Sequence, residues 1–371
     1  MDTYKVCLKP KGAITNYPPS DTLFGAIMWG IREVLGDTKL NNYKERFLAD
    51  KPPFILSSSF PMIKNETELS FLPKPIQAPL RAEEIEDIVR VKVKTYSKRH
   101  LIGTIESYKR FRKAKFVSFG VADKLLNGLS EFDLFSKHLT KNIILHSIGE
   151  TETIDYGDEV KLFGGLLLLR DEFDAVSNKL DKKLTERGII VRNTIDRFSG
   201  STGEGQLFYT EEIFVAKPQF LLYFLIRTEE KEIETILPAL KYLEDTGIGR
   251  DRAVGRNQFE ISEPTKVDLN LNAEGDRFVC LSRYIPKEDE VVLPPQTPFE
   301  LISIHSKVES RREFKGKDIW KKHFFYFTEG STLEAKERKE FYGLTPVAKK
   351  LKGQTIIQNG LCLPIFGKIG G

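Results

Sequence analysis

The residues best suited to chemistry in this chain lie in Gly247-Ile248-Gly249-Arg250-Asp251-Arg252-Ala253-Val254-Gly255-Arg256, where three glycines and three arginines share ten positions. Glycine lets the backbone take positive φ and approach a ligand with no Cβ in the way. Successive exposed N–H groups in such a loop form a concave anion site. Guanidinium groups add forked, permanent charge suited to phosphate. The composition therefore points to a phosphate backbone as ligand. A helix-to-strand turn with solvated arginines would have the same composition, and both readings stand at this point.

The context narrows the phosphate. A Walker loop runs strand, Gly-x4-Gly-Lys-Ser/Thr, helix; here Gly249 and Gly255 are separated by five residues, Arg256-Asn257 stands where Lys-Ser/Thr is needed, and the order is helix to strand. A dinucleotide fingerprint also needs a strand before it and a helix after it. Both nucleotide-cofactor readings fail.

A second candidate is Arg192-Asn193-Thr194-Ile195-Asp196-Arg197-Phe198-Ser199-Gly200-Ser201-Thr202-Gly203-Glu204-Gly205-Gln206-Leu207-Phe208. Two β-prone arms flank a tip of small residues, the pattern of a long hairpin. It would carry Arg192, Arg197 and Phe198 near that tip, pairing cationic donors with an aromatic wedge; an ordinary surface hairpin would look the same. Catalytic candidates are scarcer. Of the five histidines (His100, His138, His146, His305 and His323), none falls in the first helix or the glycine loop, where a general acid–base would be wanted. No two have the spacing of a helical zinc pair, so neither metal nor cofactor is expected.

Several elements must position these residues. Tyr4 to Lys9 alternates as a first strand. A Pro/Gly-rich loop leads to a helix that Ser20 or Asp21 could cap, with Leu23, Phe24, Ile27, Met28, Ile31, Val34 and Leu35 at helical spacing and Gly36 as its end. Gly25 and Gly30 inside that helix imply close approach by another backbone or a ligand. Residues 51–80 read as a strand among loops, 81–140 as a mostly helical insertion, and 161–170 as a buried strand or helix. Phe220 to Arg227 is nearly continuously apolar, as a central strand requires. A helix over Ile233 to Leu243 follows, with Pro238 as a candidate for its first turn, then the glycine loop and a strand over Gln258 to Ile261. Residues 262–275 look like a linker. Strands at 276–284, 300–307, 323–328 and 354–364 fit a smaller second α+β domain of similar plan.

At 371 residues, 40% hydrophobic and 30% charged, the chain suits two folded domains, 1–264 and 265–371. No apolar run approaches the ~18 residues of a membrane span. The amino terminus lacks a basic segment followed by an apolar one, and three scattered cysteines form no framework, so a cytoplasmic protein is expected. The net charge of +4 is too small to imply nucleic acid by itself. A basic cluster at Lys98-Arg99-His100 and Lys109-Arg110-Phe111-Arg112-Lys113-Ala114-Lys115 reads as a charged helix face.

Taken in order, these patches resemble the RAMP proteins of CRISPR systems. The residues that carry the resemblance are Pro19-Ser20-Asp21-Thr22-Leu23-Phe24-Gly25-Ala26-Ile27, Ile195-Asp196-Arg197…Gly203…Gly205…Leu207-Phe208…Glu211, Gly247-Ile248-Gly249…Arg252…Gly255-Arg256…Phe259 and Gly360-Leu361-Cys362-Leu363-Pro364. Their order most resembles the fourth-named subunit of the type III-A (Csm) effector complex.

The resemblance implies an α+β fold of two ferredoxin-like (RRM-like, βαββαβ) domains, the first with large insertions that include a thumb hairpin. It implies a non-catalytic subunit that grips the 5′ repeat-derived tag of the CRISPR RNA, contacts the large polymerase-like subunit and a backbone RAMP subunit, and meets target RNA indirectly. By the same resemblance Gly247, Gly249, Arg250, Arg252, Gly255 and Arg256 cradle tag phosphates. Arg192, Ile195, Arg197 and Phe198 form the thumb, and Ser20, Thr22 and Lys11 complete the RNA-facing set. One position departs from the pattern: the loop ends Gly255-Arg256-Asn257, where many relatives carry a further glycine.

Three other functions compete. One is a RAMP-family endoribonuclease processing precursor CRISPR RNA, which the placement of the histidines disfavours. Another is target-RNA cleavage by Asp21, which helix capping explains without chemistry. The third is a generic two-domain RNA-binding module, against which the hairpin and glycine loop speak, since ordinary RNA-recognition motifs read bases with aromatics on an open sheet.

Overall fold

The computed structural model describes residues 1–177, 183–195, 199, 201–269, 271, 274–295, 297–308 and 318–369. Strand β1 (Asp2–Pro10) leads through an irregular segment into helix α1 (Ser20–Leu48). Strands β2 (Phe54–Leu56), β3 (Phe60–Lys64) and β4 (Glu68–Pro73) follow, so residues 51–80 hold three strands rather than one. The insertion then runs α2 (Ala82–Lys92), α3 (Lys98–Arg112), β5 (Phe116–Ser118), α4 (Phe119–Leu126), α5 (Glu131–His138), α6 (Lys141–Ser147), β6 (Val160–Phe163), β7 (Leu166–Leu169) and α7 (Arg170–Ser177). The apolar run at 161–170 is thus an antiparallel pair turning at Gly164 and Gly165, both at positive φ.

Next comes the long hairpin, β8 (Thr185–Ile195) and β9 (Thr202–Val215), then β10 (Phe220–Thr228), α8 (Glu230–Thr246), β11 (Phe259–Ile261) and β12 (Thr265–Lys266). Among the described residues one sheet takes the order β11-β1-β10-β3-β4-β5-β7-β6, with β12 added to β1 and β2 to β10. Its pairings are antiparallel except β5 with β7. Strand β10 lies between neighbours on both edges, and its burial accounts for its apolar sequence.

Helix α1 departs from expectation at its start. Pro19 is the N-cap, with no side-chain cap, and Ser20 and Asp21 stand inside the first turn. The Ser20 N–H donates to the Ser58 hydroxyl instead (2.9 Å), and Asp21 pairs with Arg283 at 2.9 Å. Gly36 ends the first helical stretch as expected, at φ 85°, and a second stretch runs on to Leu48, packing Tyr43 and Phe47 against Phe54 in the core. Gly30 meets the expectation of close approach: a Cβ there would lie 3.0 Å from the Ala239 carbonyl of α8. Gly25 faces open space. Pro238 lies inside α8 rather than at its first turn, the acidic Glu230 and Glu232 occupying that turn where the helix dipole favours them.

Beyond β12 come β13 (Arg277–Cys280), β14 (Val291–Val292), β15 (Leu301–Ile304), β16 (Phe324–Phe327), β17 (Thr332–Ala335), β18 (Val347–Leu351), β19 (Gln354–Ile357) and β20 (Pro364–Gly367). They form a sheet of order β14-β17-β13-β20 and two hairpins, β15–β16 and β18–β19. Among the described residues this part contains no helix, which corrects the expectation of a second βαββαβ unit. Its apolar residues are short alternating runs between Gly and Pro turns, too short to give a helix an apolar stripe. It is stitched to the first part at the start of α1: Arg283 N–H donates to Ser20 Oγ (3.0 Å), Ser58 N–H to the Leu281 carbonyl (2.8 Å), and the Ser282 hydroxyl to the Leu56 carbonyl (2.6 Å). Among the described residues no helix is long and apolar enough to cross a membrane.

Candidate nucleic-acid interface

The glycine loop and the hairpin, separated in sequence by β10 and α8, border one groove of about 1100 Å³. Arg192 and Phe208 come to it from the hairpin, and Gly249, Arg250, Arg252 and Arg256 from the loop.

The loop's path is made by positive φ at Gly247 (77°), Gly249 (89°), Asp251 (59°), Gly255 (77°) and Asn257 (55°). Two of these carry most of the argument. A Cβ on Gly247 would come within 2.8 Å of the Asn257 carbonyl and of Gln258 Nε2, so no other residue closes the end of α8 there. Asn257 takes the left-handed conformation without being glycine, and asparagine tolerates that region better than most residues.

The Asn257 side chain ties the loop to the segment after β1. Its Oδ1 accepts from Thr15 N–H (2.8 Å), while Nδ2 donates to the Arg250 carbonyl (2.8 Å) and to Thr15 Oγ1 (2.9 Å). The same segment reaches the hairpin, because Ile14 and Ile213 exchange backbone hydrogen bonds at 2.9 and 2.7 Å. Residues 13–15 are thus the strut that fixes loop and hairpin relative to each other. Three successive amides, of Gly249, Arg250 and Asp251, donate to no partner among the described residues. That is the arrangement of an anion-binding nest.

The arginines divide into two kinds. Arg192 Nη2 donates to Glu212 Oε1 at 2.5 Å, Arg256 Nε lies 2.7 Å from Glu212 Oε2, and Arg192 Nη1 lies 3.4 Å from Asp251. Glu212 is fully buried. Burial pushes its carboxyl up, and the two guanidinium groups outweigh that and hold it below the ordinary carboxylate value. Arg192 and Arg256 are therefore neutralised within the protein, whereas Arg250 is exposed and Arg252 half-exposed at the groove.

The other expected residues scatter. Thr22 abuts the loop, 3.4 Å from where a Cβ on Gly249 would sit. Lys11 is exposed and its ammonium donates to the Glu244 carbonyl at 3.4 Å. Ser20 is buried, its hydroxyl taken by Arg283, and so is withdrawn from any ligand. Ile195 ends β8 opposite Thr202. Arg197 and Phe198 lie outside the described residues.

Glu212, Asn257 and the 13–15 strut were not singled out by the sequence. For Glu212 the signal was available: strand alternation sets it on the same ribbon face as Phe208 and Arg192, but only once the register of the hairpin is known. None of the five histidines lines this groove. His138 is buried against Phe111, with Nδ1 3.0 Å from the Val160 carbonyl, and burial pulls it down to about 4.

Helix, glycine loop and short strand thus face the long hairpin across an open groove lined by arginines from both. The RAMP superfamily profile matches residues 15–260, and the chain belongs to that family. It is similar to "CRISPR system Cms protein Csm4" of Thermococcus onnurineus (strain NA1), 24% identical over 293 residues, covering 77% of this chain and 76% of the relative. Among solved structures it is similar to the Csm3–Csm4 subcomplex of the type III-A CRISPR-Cas interference complex (TM-score 0.57, 20% identity, 96% of this chain and 98% of the other). It is also similar to the Csm1–Csm4 cassette in complex with cA4 (TM-score 0.53, 18% identity, 100% and 99%). These likenesses bear on the fold.

Proposed function

We propose that the chain is a non-catalytic CRISPR RNA-binding subunit of a type III-A effector complex, gripping the 5′ repeat-derived tag between the glycine–arginine loop and the hairpin. The observation that carries this reading is the groove itself, where three unpartnered amides and the Arg250 and Arg252 side chains face Arg192 of the hairpin. Such a surface binds phosphates without reading bases, as a tag-gripping subunit requires. In this reading β1-α1-β3-β10-α8-β11 is a ferredoxin-like unit, the hairpin is its thumb, and residues 265–371 are a separate domain built of strands. Csm3 and Csm1 accompany Csm4 in the two similar structures. By that likeness the partners here are a backbone RAMP subunit and the large polymerase-like subunit, with target RNA met indirectly.

The test is binding of synthetic tag RNA across a salt series. Arg250→Ala/Arg252→Ala should flatten the slope of log affinity against log salt by about 0.7 for each phosphate that is no longer neutralised. Arg256→Ala should change the slope less, since Glu212 already neutralises that charge. An unchanged slope in the double variant would return the loop to an ordinary turn.

A further inference from the structure

A second groove, of about 730 Å³, opens between the helical insertion and the carboxy-terminal strands. Its aromatic floor is Tyr17, Phe60 and Phe116, with Phe116 5.8 Å from Tyr17 and 6.3 Å from Phe60 between ring centroids. One wall carries Arg112, Lys113 and Lys115, all exposed and without an ion-pair partner among the described residues. Helix-dipole compensation accounts for the cations in the last turn of α3, which are Lys109, Arg110 and Arg112. It does not account for Lys115, which lies beyond the helix.

The remaining charges lining the groove are largely engaged already. Lys74 pairs with Glu131 at 2.8 Å, Arg283 with Asp21, and Glu329 accepts from the Ser58 hydroxyl. Glu329 and the exposed Glu300, from the carboxy-terminal part, also line the groove. The two grooves also share a boundary. Ala13 and Thr15 bond the glycine loop through Asn257, and the next residues, Asn16 and Tyr17, line the second groove.

We propose that this groove is a further subsite for the same RNA strand, with unpaired bases on the Tyr17–Phe116 floor and phosphates along Arg112, Lys113 and Lys115. Stacking rings beside a cationic wall is the arrangement that binds single strands with little sequence preference. The proposal rests on the reading that the first groove holds RNA.

The test uses the full chain and synthetic single-stranded RNAs of about four and about twelve nucleotides, spanning the range of single-strand site sizes. Arg112→Ala/Lys113→Ala/Lys115→Ala alters only exposed side chains. It should lower the salt slope for the longer RNA by roughly 2, at about 0.7 per phosphate, and leave the shorter RNA unaffected. In the unmodified chain, 4-thiouridine in the longer RNA should crosslink to residues 16–17 or 112–116. If the triple variant binds the longer RNA normally while Arg250→Ala/Arg252→Ala does not, the subsite is wrong and the first groove stands alone. Normal RNA binding by the triple variant with impaired association to a partner subunit overturns it in favour of a protein face. An unmodified chain that binds neither RNA removes both readings.

Discussion

Glu212 is the residue on which the geometry of the first groove turns. A carboxylate shut away from water is costly unless paired, and here two guanidinium groups, one from the hairpin and one from the loop, meet it. Glu212→Ala would leave both with less counter-charge in a mostly buried setting. We expect a loss of about 3 kcal/mol in denaturant unfolding, at the lower end for a broken buried pair because the arginines keep some access to solvent. Glu212→Gln, which retains the shape, should lose less. Equal stability of all three proteins would show the pair to be energetically idle. From the sequence, all the arginines looked alike as phosphate ligands. Only the folded register separates the two held by Glu212 from the two at the groove, because a partner distant in the chain is invisible to composition.

At the scale of elements, more was legible. The first strand, the central strand, the hairpin and the glycine loop were all marked by alternation, apolar runs or clustered glycines, signals that arise within a single element. What escaped depends on neighbours. A second helical stretch follows Gly36 because of core aromatics beyond it, and the helix start is capped by a serine from another segment. Asn257 illustrates the point, since its left-handed φ is local but its side-chain hydrogen bonds to Thr15 are not. Asn257→Ala and Asn257→Gly both lose those bonds, and only alanine also carries the steric cost of the left-handed region. The alanine variant should therefore be the less stable by about 1 kcal/mol, read as the difference between their denaturant midpoints scaled by a common slope. Identical midpoints would mean that the loop relaxes out of that conformation.

For the whole molecule, pH offers a probe of the insertion. Burial against Phe111 holds His138 neutral down to about 4, while in the unfolded chain it titrates near the ordinary 6.5. Above 6.5 neither state is protonated and its contribution to stability is constant. As pH falls from 6.5 to 4 the unfolded chain takes up a proton that the fold refuses, so stability is lost across that window, by up to ~3 kcal/mol. His138→Gln should lower stability at neutral pH yet flatten its decline on acidification. Parallel pH profiles for the two proteins would show that His138 is protonated in place. The second part of the chain was the least legible at this scale. Its strands were expected, but their arrangement, without a helix among the described residues, follows from packing onto the serines and the start of α1.

The strut at residues 13–15 has a consequence in time. Thr15 leaves the ribosome 242 residues ahead of its partner Asn257. Contacts so distant in sequence form only after the intervening chain is made, and they form slowly. The groove therefore has no walls in a partly synthesised chain: hairpin and strut wait for the loop that closes them. A nascent chain displays hairpin and strut but no finished groove, which is complete only once β11 has been delivered and docked beside β1.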